Sequence, residues 1–259
     1  MRFRPCIDIH NGKVKQIVGG SLSDEKEEAD ENFVSDLNAS DFAKFYRRDD
    51  IKGGHIILLN SVSSPYYEAT KAQAVGALQE WKGAMQIGGG IHDKNAAFYL
   101  DAGASHVIVT SFVFQNGAIQ YENLEKIKKE IGKDRLVLDL SCRKKDGQYY
   151  IVTDRWQKFT KVALTKQVLE ELSNHCAEFL VHAVDVEGKA SGIEVQLAQM
   201  LGEWGKIPIT YAGGVGSFED LEKLRKAGKN RLDVTIGSAL DLFGGSMEYK
   251  RVLKLCEKY

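Results

Sequence analysis

The sequence predicts an α/β protein with a (β/α)8 barrel fold, and two observations lead to this prediction. Eight short runs rich in β-forming residues recur along the 259 residues, with amphipathic helical segments between them. Features of the first half of the chain also return in the second half, in the same order. Eight strand–helix units of about 32 residues each match the size of a βαβ step. We therefore expect residues 1–259 to form a single barrel domain built of two half-barrels.

Most of the eight predicted strands are continuous apolar stretches, a pattern typical of strands buried on both faces of a parallel sheet. In chain order they cover residues 4–9, 55–59, 84–87, 106–110, 136–140, 179–184, 207–211 and 232–236. A doubly wound open sheet is the alternative architecture, but its dinucleotide-binding form needs GxGxxG directly after the first strand. Here His10-Asn11-Gly12 follows that strand, so the sequence favours the barrel.

Two segments between strands show clear helical periodicity. The sequences ENLEKIKKEIG and SFEDLEKLRKAG place apolar residues at helical spacing and end in Gly132 and Gly228, which are plausible C-caps. Both segments therefore predict amphipathic helices that lie on a sheet.

Two loops are longer than a simple connection requires. Asn11-Gly12 after the first strand and Asp146-Gly147 after the fifth are strong hairpin turns. An acidic stretch at residues 24–31 follows the first hairpin and is interpreted as a solvated loop, whereas the second hairpin carries Arg143, Arg155 and Trp156. Barrel enzymes place their chemistry in loops of this kind.

The internal repeat consists of three pairs of features. Each pair lies at equivalent strand ends, and the separations are 131, 124 and 127 residues: Asp8 and Asp139, Gly89-Gly90 and Gly213-Gly214, Thr110-Ser111 and Gly237-Ser238. Three features repeated in order at nearly half the chain length predict two half-barrels.

Asp8 and Asp139 are the candidate catalytic residues. They end the first and fifth strands, and the carboxyl ends of all barrel strands meet at one mouth, so the two carboxyl groups should face each other there. Opposed carboxyl groups suit proton transfer, one as general base and the other as general acid. The alternative is that each aspartate only caps the turn that follows it.

The paired glycines predict two phosphate sites. Gly89-Gly90 and Gly213-Gly214 offer unobstructed backbone N–H groups at the start of a helix, and Thr110-Ser111 and Gly237-Ser238 add donors from the neighbouring strands. Two such sites on opposite sides of the mouth predict a small-molecule ligand with a phosphate at each end. The reacting atoms would then lie midway, between the aspartates.

Three further residues are weaker candidates. Asp185 follows the sixth strand and can be a third acid or a polar anchor, Trp156 can stack on a flat heterocycle, and Arg143 can reach the substrate from the hairpin. Of the histidines, His10 and His182 flank strand ends but show no metal-ligand pattern, so we expect no metal site.

Composition excludes several classes of function. Lys+Arg number 35 against 36 Asp+Glu, so no strong basic excess points to nucleic acid, and no stretch is apolar enough to predict a membrane span. The four cysteines are far apart and show no CxxC pair, which favours reduced thiols and a cytoplasmic protein. We expect a monomer that acts on a small molecule.

The residues quoted above resemble the eukaryotic-type phosphoribosylformimino-aminoimidazole carboxamide ribotide isomerases (ProFAR isomerases) of histidine biosynthesis. The blocks that carry the resemblance extend from about residue 2 to the C-terminus: RPCIDIHNGKVKQIVGG, QIGGGI, ASHVIVTSFVF, LVLDLSCRKKDGQYYIVTDRWQ, LVHAVDVEGK, TYAGGV and DVTIGSAL. The resemblance implies a barrel of two half-barrels, a cofactor-free Amadori rearrangement and a substrate with two phosphates.

The resemblance also implies residue roles. Asp8 matches the base that removes the proton from the second ribose carbon, Asp139 the acid that protonates the ring oxygen, and Trp156 the residue that stacks on the aminoimidazole. Asp185 matches an aspartate of the loop after the sixth strand. That loop is shorter here than in many bacterial members and lacks their threonine, so the threonine's role does not transfer.

Other functions remain open at this stage. The cyclase barrel of imidazole glycerol phosphate synthase shares the two aspartates and two phosphate sites, but a lysine soon follows its first aspartate, where this chain has His10 and Asn11. An isomerase that also accepts phosphoribosyl anthranilate is a second alternative. From another class, a non-catalytic phosphosugar-binding barrel would use the glycine sites alone.

Overall fold

Eight parallel strands form the wall of a barrel in this computed structural model, which describes residues 1–17, 31–154 and 156–257. Hydrogen bonds join each of these strands to its neighbours in the order of the chain. The barrel strands are β1 (Cys6–His10), β4 (His55–Leu58), β5 (Gln86–Gly88), β6 (Val107–Val109), β9 (Leu136–Asp139), β13 (Glu178–His182), β14 (Ile209–Ala212) and β15 (Asp233–Thr235). Each overlaps one of the eight predicted runs, so the strand prediction is confirmed.

The last strand meets the first, which closes the sheet. The backbone N–H of Arg4 donates to the carbonyl of Val234 at 2.8 Å, and the N–H of Val234 donates to the carbonyl of Arg2 at 2.9 Å. Phe3 and Val234 form the parallel bridge between them. Closure leaves the barrel without exposed edges, so its backbone groups are paired all the way around. The predicted (β/α)8 barrel is confirmed.

An α-helix follows every barrel strand before the next one begins, or, after β15, ends the described chain. The helices are α1 (Ala39–Arg48), α2 (Tyr67–Glu80), α3 (Ala96–Ala102), α4 (Tyr121–Ile131), α5 (Lys166–Ser173), α6 (Val195–Trp204), α7 (Phe218–Ala227) and α8 (Tyr249–Glu257). Among the described residues, no helix combines the length and apolar character that a membrane span needs.

The two helices predicted from periodicity, α4 and α7, are confirmed. Leu124 and Ile127 of α4 are buried, and Gly132 follows the helix with a φ of 79°. The hydroxyl of Ser217 accepts the backbone N–H of Asp220 at the start of α7, an N-cap that satisfies one of the donors left over in the first turn. Each helix therefore presents its apolar side to the sheet.

Short antiparallel strands are inserted after the carboxyl ends of three barrel strands. Strands β2 (Lys13–Ile17) and β3 (Glu31–Val34) extend the sheet beside β1, and β7 (Phe114–Gln115) pairs with β8 (Ala118–Ile119) after β6. Strands β10 (Cys142–Lys145), β11 (Gln148–Thr153) and β12 (Lys158–Ala163) form a separate three-stranded sheet after β9. The acidic stretch before Glu31 and Arg155 lie outside the described residues.

The two predicted hairpin turns are confirmed. Asn11 and Gly12 have φ values of 52° and 73°, and Asp146 and Gly147 have values of 50° and 79°. Positive φ at both central residues is the requirement of a type I′ turn, whose twist matches that of the flanking strands. Both hairpins lie at the mouth of the barrel, where residues of β2 and β11 line a cavity.

Candidate active site

The carboxyl ends of the strands surround a cavity of about 350 Å³. Its lining includes seven of the residues that the sequence predicts for the site: Asp8, Gly89, Gly90, Thr110, Ser111, Asp139 and Trp156. They come from β1, the loop after β5, the end of β6, β9 and the β11–β12 hairpin. The closed barrel thus brings both candidate catalytic aspartates and one predicted phosphate site to the same cavity.

The second predicted phosphate site lies in an adjoining cavity of about 40 Å³. Its lining includes the four residues predicted for that site: Gly213, Gly214, Gly237 and Ser238. Both cavities share Asp8, Gln16, His182 and Glu187. The two glycine sites are therefore separated by a group of polar and charged side chains that contains Asp8.

Asp139 lies in a dense hydrogen-bond network at the end of β9. Its Oδ1 accepts the backbone N–H of Ser141 at 2.8 Å and the Ser141 hydroxyl at 2.6 Å. The hydroxyl of Thr110 donates to Oδ2 at 3.4 Å, and Nδ1 of His182 lies 3.5 Å from Oδ1. Burial alone would favour the neutral acid, but the nearby His182 and the Ser141 donors outweigh it and lower the pKa of Asp139.

Asp8 lies in the middle of β1, and its pKa shifts in the opposite direction to that of Asp139. Burial raises the pKa of Asp8 from 3.8 to about 7, His182 partly opposes this rise, and Glu187 adds to it. The amide of Gln16 donates weakly to Oδ2 at 3.5 Å. A carboxyl group that titrates near neutral pH is well suited to accept and return a proton.

His182 ends β13 and stands among these carboxyl groups. Its Nδ1 lies 3.1 Å from the hydroxyl of Ser141, and the ring is buried. Burial opposes protonation of the imidazole, but the charge and hydrogen bond of Asp139 overcome it and raise the pKa of His182 to about 9. The site therefore combines an ionised Asp139 with a cationic His182 at neutral pH.

Glu187 lies at the boundary of the two cavities, next to the second glycine site. Its Oε2 is buried and accepts no hydrogen bond from the described residues, and burial raises the pKa of its carboxyl group. The same oxygen is 3.2 Å from the point where a Cβ on Gly213 would lie. Since a carboxylate there would repel a phosphate, an anion can enter this end only if Glu187 is neutral or moves away.

The glycines of the two predicted phosphate sites differ in what surrounds them. A Cβ on Gly89 would lie 2.1 Å from the carbonyl oxygen of Leu58, and one on Gly214 would lie 2.1 Å from that of Gly192. A Cβ on Gly90 would meet nothing within 4 Å. Backbone packing therefore requires glycine at positions 89 and 214, whereas Gly90 leaves space for a ligand.

Trp156 reaches the larger cavity from the hairpin between β11 and β12. Its backbone φ is 68°, a strained conformation that is rare for a bulky residue and that clusters at active sites and ligand clamps. Its ring centroid lies 5.4 Å from that of His182, with 45° between the planes. An aromatic face at this place can stack on a flat heterocycle above the aspartates.

The structure does not bring Asp185 and Arg143 to either cavity lining. The carboxylate of Asp185 accepts the Nε–H of Arg143 at 2.8 Å and the backbone N–H of Lys144 at 2.8 Å. A 3₁₀ turn at Val184–Val186 follows β13 and carries Asp185 to the β10 hairpin. These two residues join the hairpin to the loop after β13.

Four polar residues at the centre were missed as site residues by sequence reasoning: Gln16, Ser141, His182 and Glu187. The sequence extended the sixth strand to residue 184 and so placed Asp185 at its end, whereas β13 ends at His182. A position at the end of a barrel strand was the only available signal for His182, and it is the same signal that identified Asp8 and Asp139.

Comparison with known proteins gives consistent matches over nearly the whole chain. A family model described as histidine biosynthesis protein matches residues 2–247. A Medicago truncatula protein named 1-(5-phosphoribosyl)-5-((5-phosphoribosylamino)methylideneamino) imidazole-4-carboxamide isomerase HISN3, chloroplastic, is 52% identical over 98% of this chain and 81% of its own. Isomerases of the same chemical name from Neurospora crassa and Saccharomyces cerevisiae are 43% and 42% identical, over 94% and 95% of this chain and 93% and 94% of their own.

Proposed function

This chain belongs to the histidine biosynthesis protein family, and from that premise we propose that it isomerises ProFAR by acid–base catalysis at Asp8 and Asp139. It is an isomerase, as its relatives are. The observation that carries the proposed mechanism is the placement of two carboxyl groups from β1 and β9 on one cavity with glycine-lined ends. The two groups have opposite pKa shifts, so Asp8 titrates near neutral pH while Asp139 stays ionised until a proton is supplied to it.

The reaction is an Amadori rearrangement of an aminoaldose to an aminoketose. A proton delivered to the ribose ring oxygen breaks the bond from that oxygen to the first ribose carbon, and the lone pair of the glycosidic nitrogen forms a protonated Schiff base. This cation acidifies the C–H bond at the second ribose carbon. Asp8 removes that proton, and the enolamine then becomes the aminoketose by gaining a proton at the first carbon and losing one from the enol hydroxyl.

Asp8 fits the role of base because its pKa of about 7 leaves a large ionised fraction at neutral pH and enough basicity to take a proton from carbon. Asp139 lies on the opposite strand and mediates proton delivery to the ring oxygen. Trp156 stacks on the aminoimidazole of the substrate. Asp185 accepts a hydrogen bond from Arg143 outside both cavity linings, and the roles of Asp185 as a third acid or polar anchor and of Arg143 at the substrate stay predictions.

The two phosphates of the substrate occupy the two glycine sites. Gly89, Gly90, Thr110 and Ser111 hold one in the larger cavity. Gly213, Gly214, Gly237 and Ser238 hold the other after Glu187 has given way. The reacting ribose then lies between the two sites, beside Asp8.

We extend the proposal to the state of the protein in the cell. All four cysteines are buried free thiols, which suits a reducing compartment such as the cytoplasm, although the Medicago truncatula relative is named chloroplastic. We propose that the protein acts as a monomer on a small-molecule substrate.

The test is turnover of ProFAR by the purified protein, followed through a coupled downstream synthase, with phosphoribosyl anthranilate in a parallel reaction. Asp8→Asn and Asp139→Asn should each lower kcat by about 10²–10⁴ with a much smaller change in KM, the usual effect of a lost acid or base. Asp134→Asn is the matched control and should stay within about threefold of the wild type, since Asp134 is exposed in the turn before β9 and lies outside both cavity linings.

Three outcomes would contradict the proposal in different ways. No turnover of ProFAR by folded wild-type protein would refute the isomerase assignment. An active Asp8→Asn or Asp139→Asn variant would remove that residue from the mechanism. Turnover of both substrates would show a dual-substrate isomerase, which is broader than the activity proposed.

A further inference from the structure

His182 occupies a position at the mouth that the proposed roles of the two aspartates leave unexplained. It is the last residue of β13 and lines both cavities. Nδ1 lies 3.1 Å from the Ser141 hydroxyl and 3.5 Å from Oδ1 of Asp139, while Ser141 itself donates to the same Oδ1. The ring is fixed by Trp156 and by His55, whose centroids lie 5.4 and 6.1 Å from its own.

The charges around His182 favour its cationic form. Carboxyl groups face it from three elements: Asp8 on β1, Asp139 on β9 and Glu187 in the loop after β13. His55 on β4 stays neutral, because burial lowers its pKa to about 3. The uncharged residues Ala212 at the end of β14, Gly213 directly after it and Thr235 at the end of β15 line the adjoining cavity. The positive charge of the His182 imidazolium therefore offsets negative charge on the surrounding carboxyl groups.

Ring opening needs a proton that Asp139 does not hold in this arrangement. Its carboxyl group accepts hydrogen bonds on both oxygens and lies beside the imidazolium, and each of these contacts favours the ionised form. A carboxylate must first receive a proton before it can donate one. His182 is the protonated group in contact with it.

We propose that His182 is the proton reservoir of the Asp139 side of the site, a positioning residue that acts through Asp139 and Ser141. The inference rests on the isomerase reaction proposed above. The imidazolium gives its Nδ1 proton to the Asp139 carboxylate, directly or across the Ser141 hydroxyl, as Asp139 gives a proton to the ring oxygen. The C–O bond then breaks, and its electron pair stays on that oxygen.

The second half of the reaction restores both partners. Asp8 removes the proton from the second ribose carbon and returns it to the first carbon as the ketose forms. The enol hydroxyl loses its proton to the Asp139–His182 pair at the same stage, so the imidazolium is regenerated. No proton is gained or lost overall, as an isomerisation requires.

The replacement His182→Asn removes the group that can be protonated but keeps a hydrogen-bond donor toward Ser141 and Asp139. An asparagine side chain places an N–H donor near the position of Nδ1 but cannot be protonated, so it keeps the contact with Ser141 and Asp139 and removes the reservoir. We expect kcat to fall by about 10²-fold with KM within about threefold. The matched control is His106→Asn, a histidine at the opposite end of the barrel, which should leave both constants unchanged.

The pH profile of kcat/KM distinguishes a reservoir from a structural role. In the wild type, activity should fall as the pH rises through about 9, because the neutral imidazole has no proton to supply. That alkaline limb should disappear in His182→Asn and persist in His106→Asn. An unchanged limb, or a kcat within threefold of the wild type, would overturn the proposal.

An NMR titration of the histidine rings in the free protein tests the same inference without substrate. His182 should titrate near pH 9 in the wild type and at lower pH in Asp139→Asn, because the carboxylate that holds its proton is gone. Titration of His182 below pH 7 in the wild type would overturn the reservoir even if His182→Asn fails to fold. Inactive wild-type protein would instead refute the proposed isomerase function.

Discussion

The replacement Asp8→Asn should make the protein more stable while it removes activity. Burial raises the pKa of Asp8 from 3.8 to about 7, so ionising this group costs more in the folded protein than in the unfolded chain. Asparagine has nearly the same shape, and its amide oxygen still accepts from Gln16. The variant therefore avoids the cost of a buried charge and keeps the packing.

The pKa shift sets the size of this effect and its dependence on pH. A raised pKa contributes stability below about pH 4, and this contribution is lost as the pH rises through about 7. A shift of about 3 pKa units corresponds to about 4 kcal/mol. Since Asp8 keeps part of its surface toward the cavity, we expect Asp8→Asn to be more stable than the wild type by about 2–4 kcal/mol at pH 8 and about half as much at pH 5.

Equilibrium unfolding in urea at pH 5 and pH 8 measures this difference directly. Asp139→Asn provides the control with the opposite sign. Its pKa is lowered in the folded protein, so the variant should be less stable than the wild type at pH 8 and lose this deficit as the pH falls. A wild type more stable than Asp8→Asn at pH 8, or a gain that is the same at both pH values, would refute the reasoning.

Two further predictions concern the opposite end of the barrel and the first phosphate site. Arg4 is buried, and its Nε donates to Asp233 at 2.9 Å, so Arg4→Met should lower the free energy of unfolding by about 3–5 kcal/mol, against about 1 kcal/mol or less for the exposed Arg2→Met. Urea unfolding measures both losses, and equal losses would contradict the assignment of a buried ion pair. Gly90→Asp should raise KM by about tenfold or more through repulsion of a phosphate, whereas Gly132→Asp, at a similarly open glycine of positive φ away from the cavities, should not. Steady-state kinetics with ProFAR checks this, and equal KM values would place the phosphate elsewhere.

Most of the fold could be predicted from short stretches of sequence because their signals are local. The dipeptides Asn11-Gly12 and Asp146-Gly147 adopt positive φ in tight turns, since their side chains tolerate that conformation wherever they occur. Continuous apolar runs predicted all eight barrel strands. Asp8 and Asp139 could be placed at the mouth because each follows such a run and the carboxyl ends of parallel strands converge.

The end of the sixth barrel strand could not be predicted in this way. The sequence LVHAVDVEG contains neither glycine nor proline before Gly188, so no strong local signal shows where pairing stops. In the structure, pairing with β14 ends at His182 opposite Ala212, and a 3₁₀ turn then carries Asp185 outside the cavity linings before Glu187 returns to them. The strand therefore ends two residues earlier than predicted, at His182, and Asp185 lies in the 3₁₀ turn beyond it.

The sequence by itself determined the eight-stranded barrel, because strand and turn preferences are encoded over a few residues. It also predicted the two half-barrel repeats, the two catalytic aspartates and the two glycine sites, from residues that follow the strands at regular spacing. Only the tertiary structure decided which charges meet at the mouth. The cationic His182, the opposite pKa shifts of Asp8 and Asp139, and the carboxyl group of Glu187 beside Gly213 all depend on contacts between strands far apart in the chain. Burial and charge pairing in a closed barrel are properties of the assembled structure, and no local pattern of residues carries them.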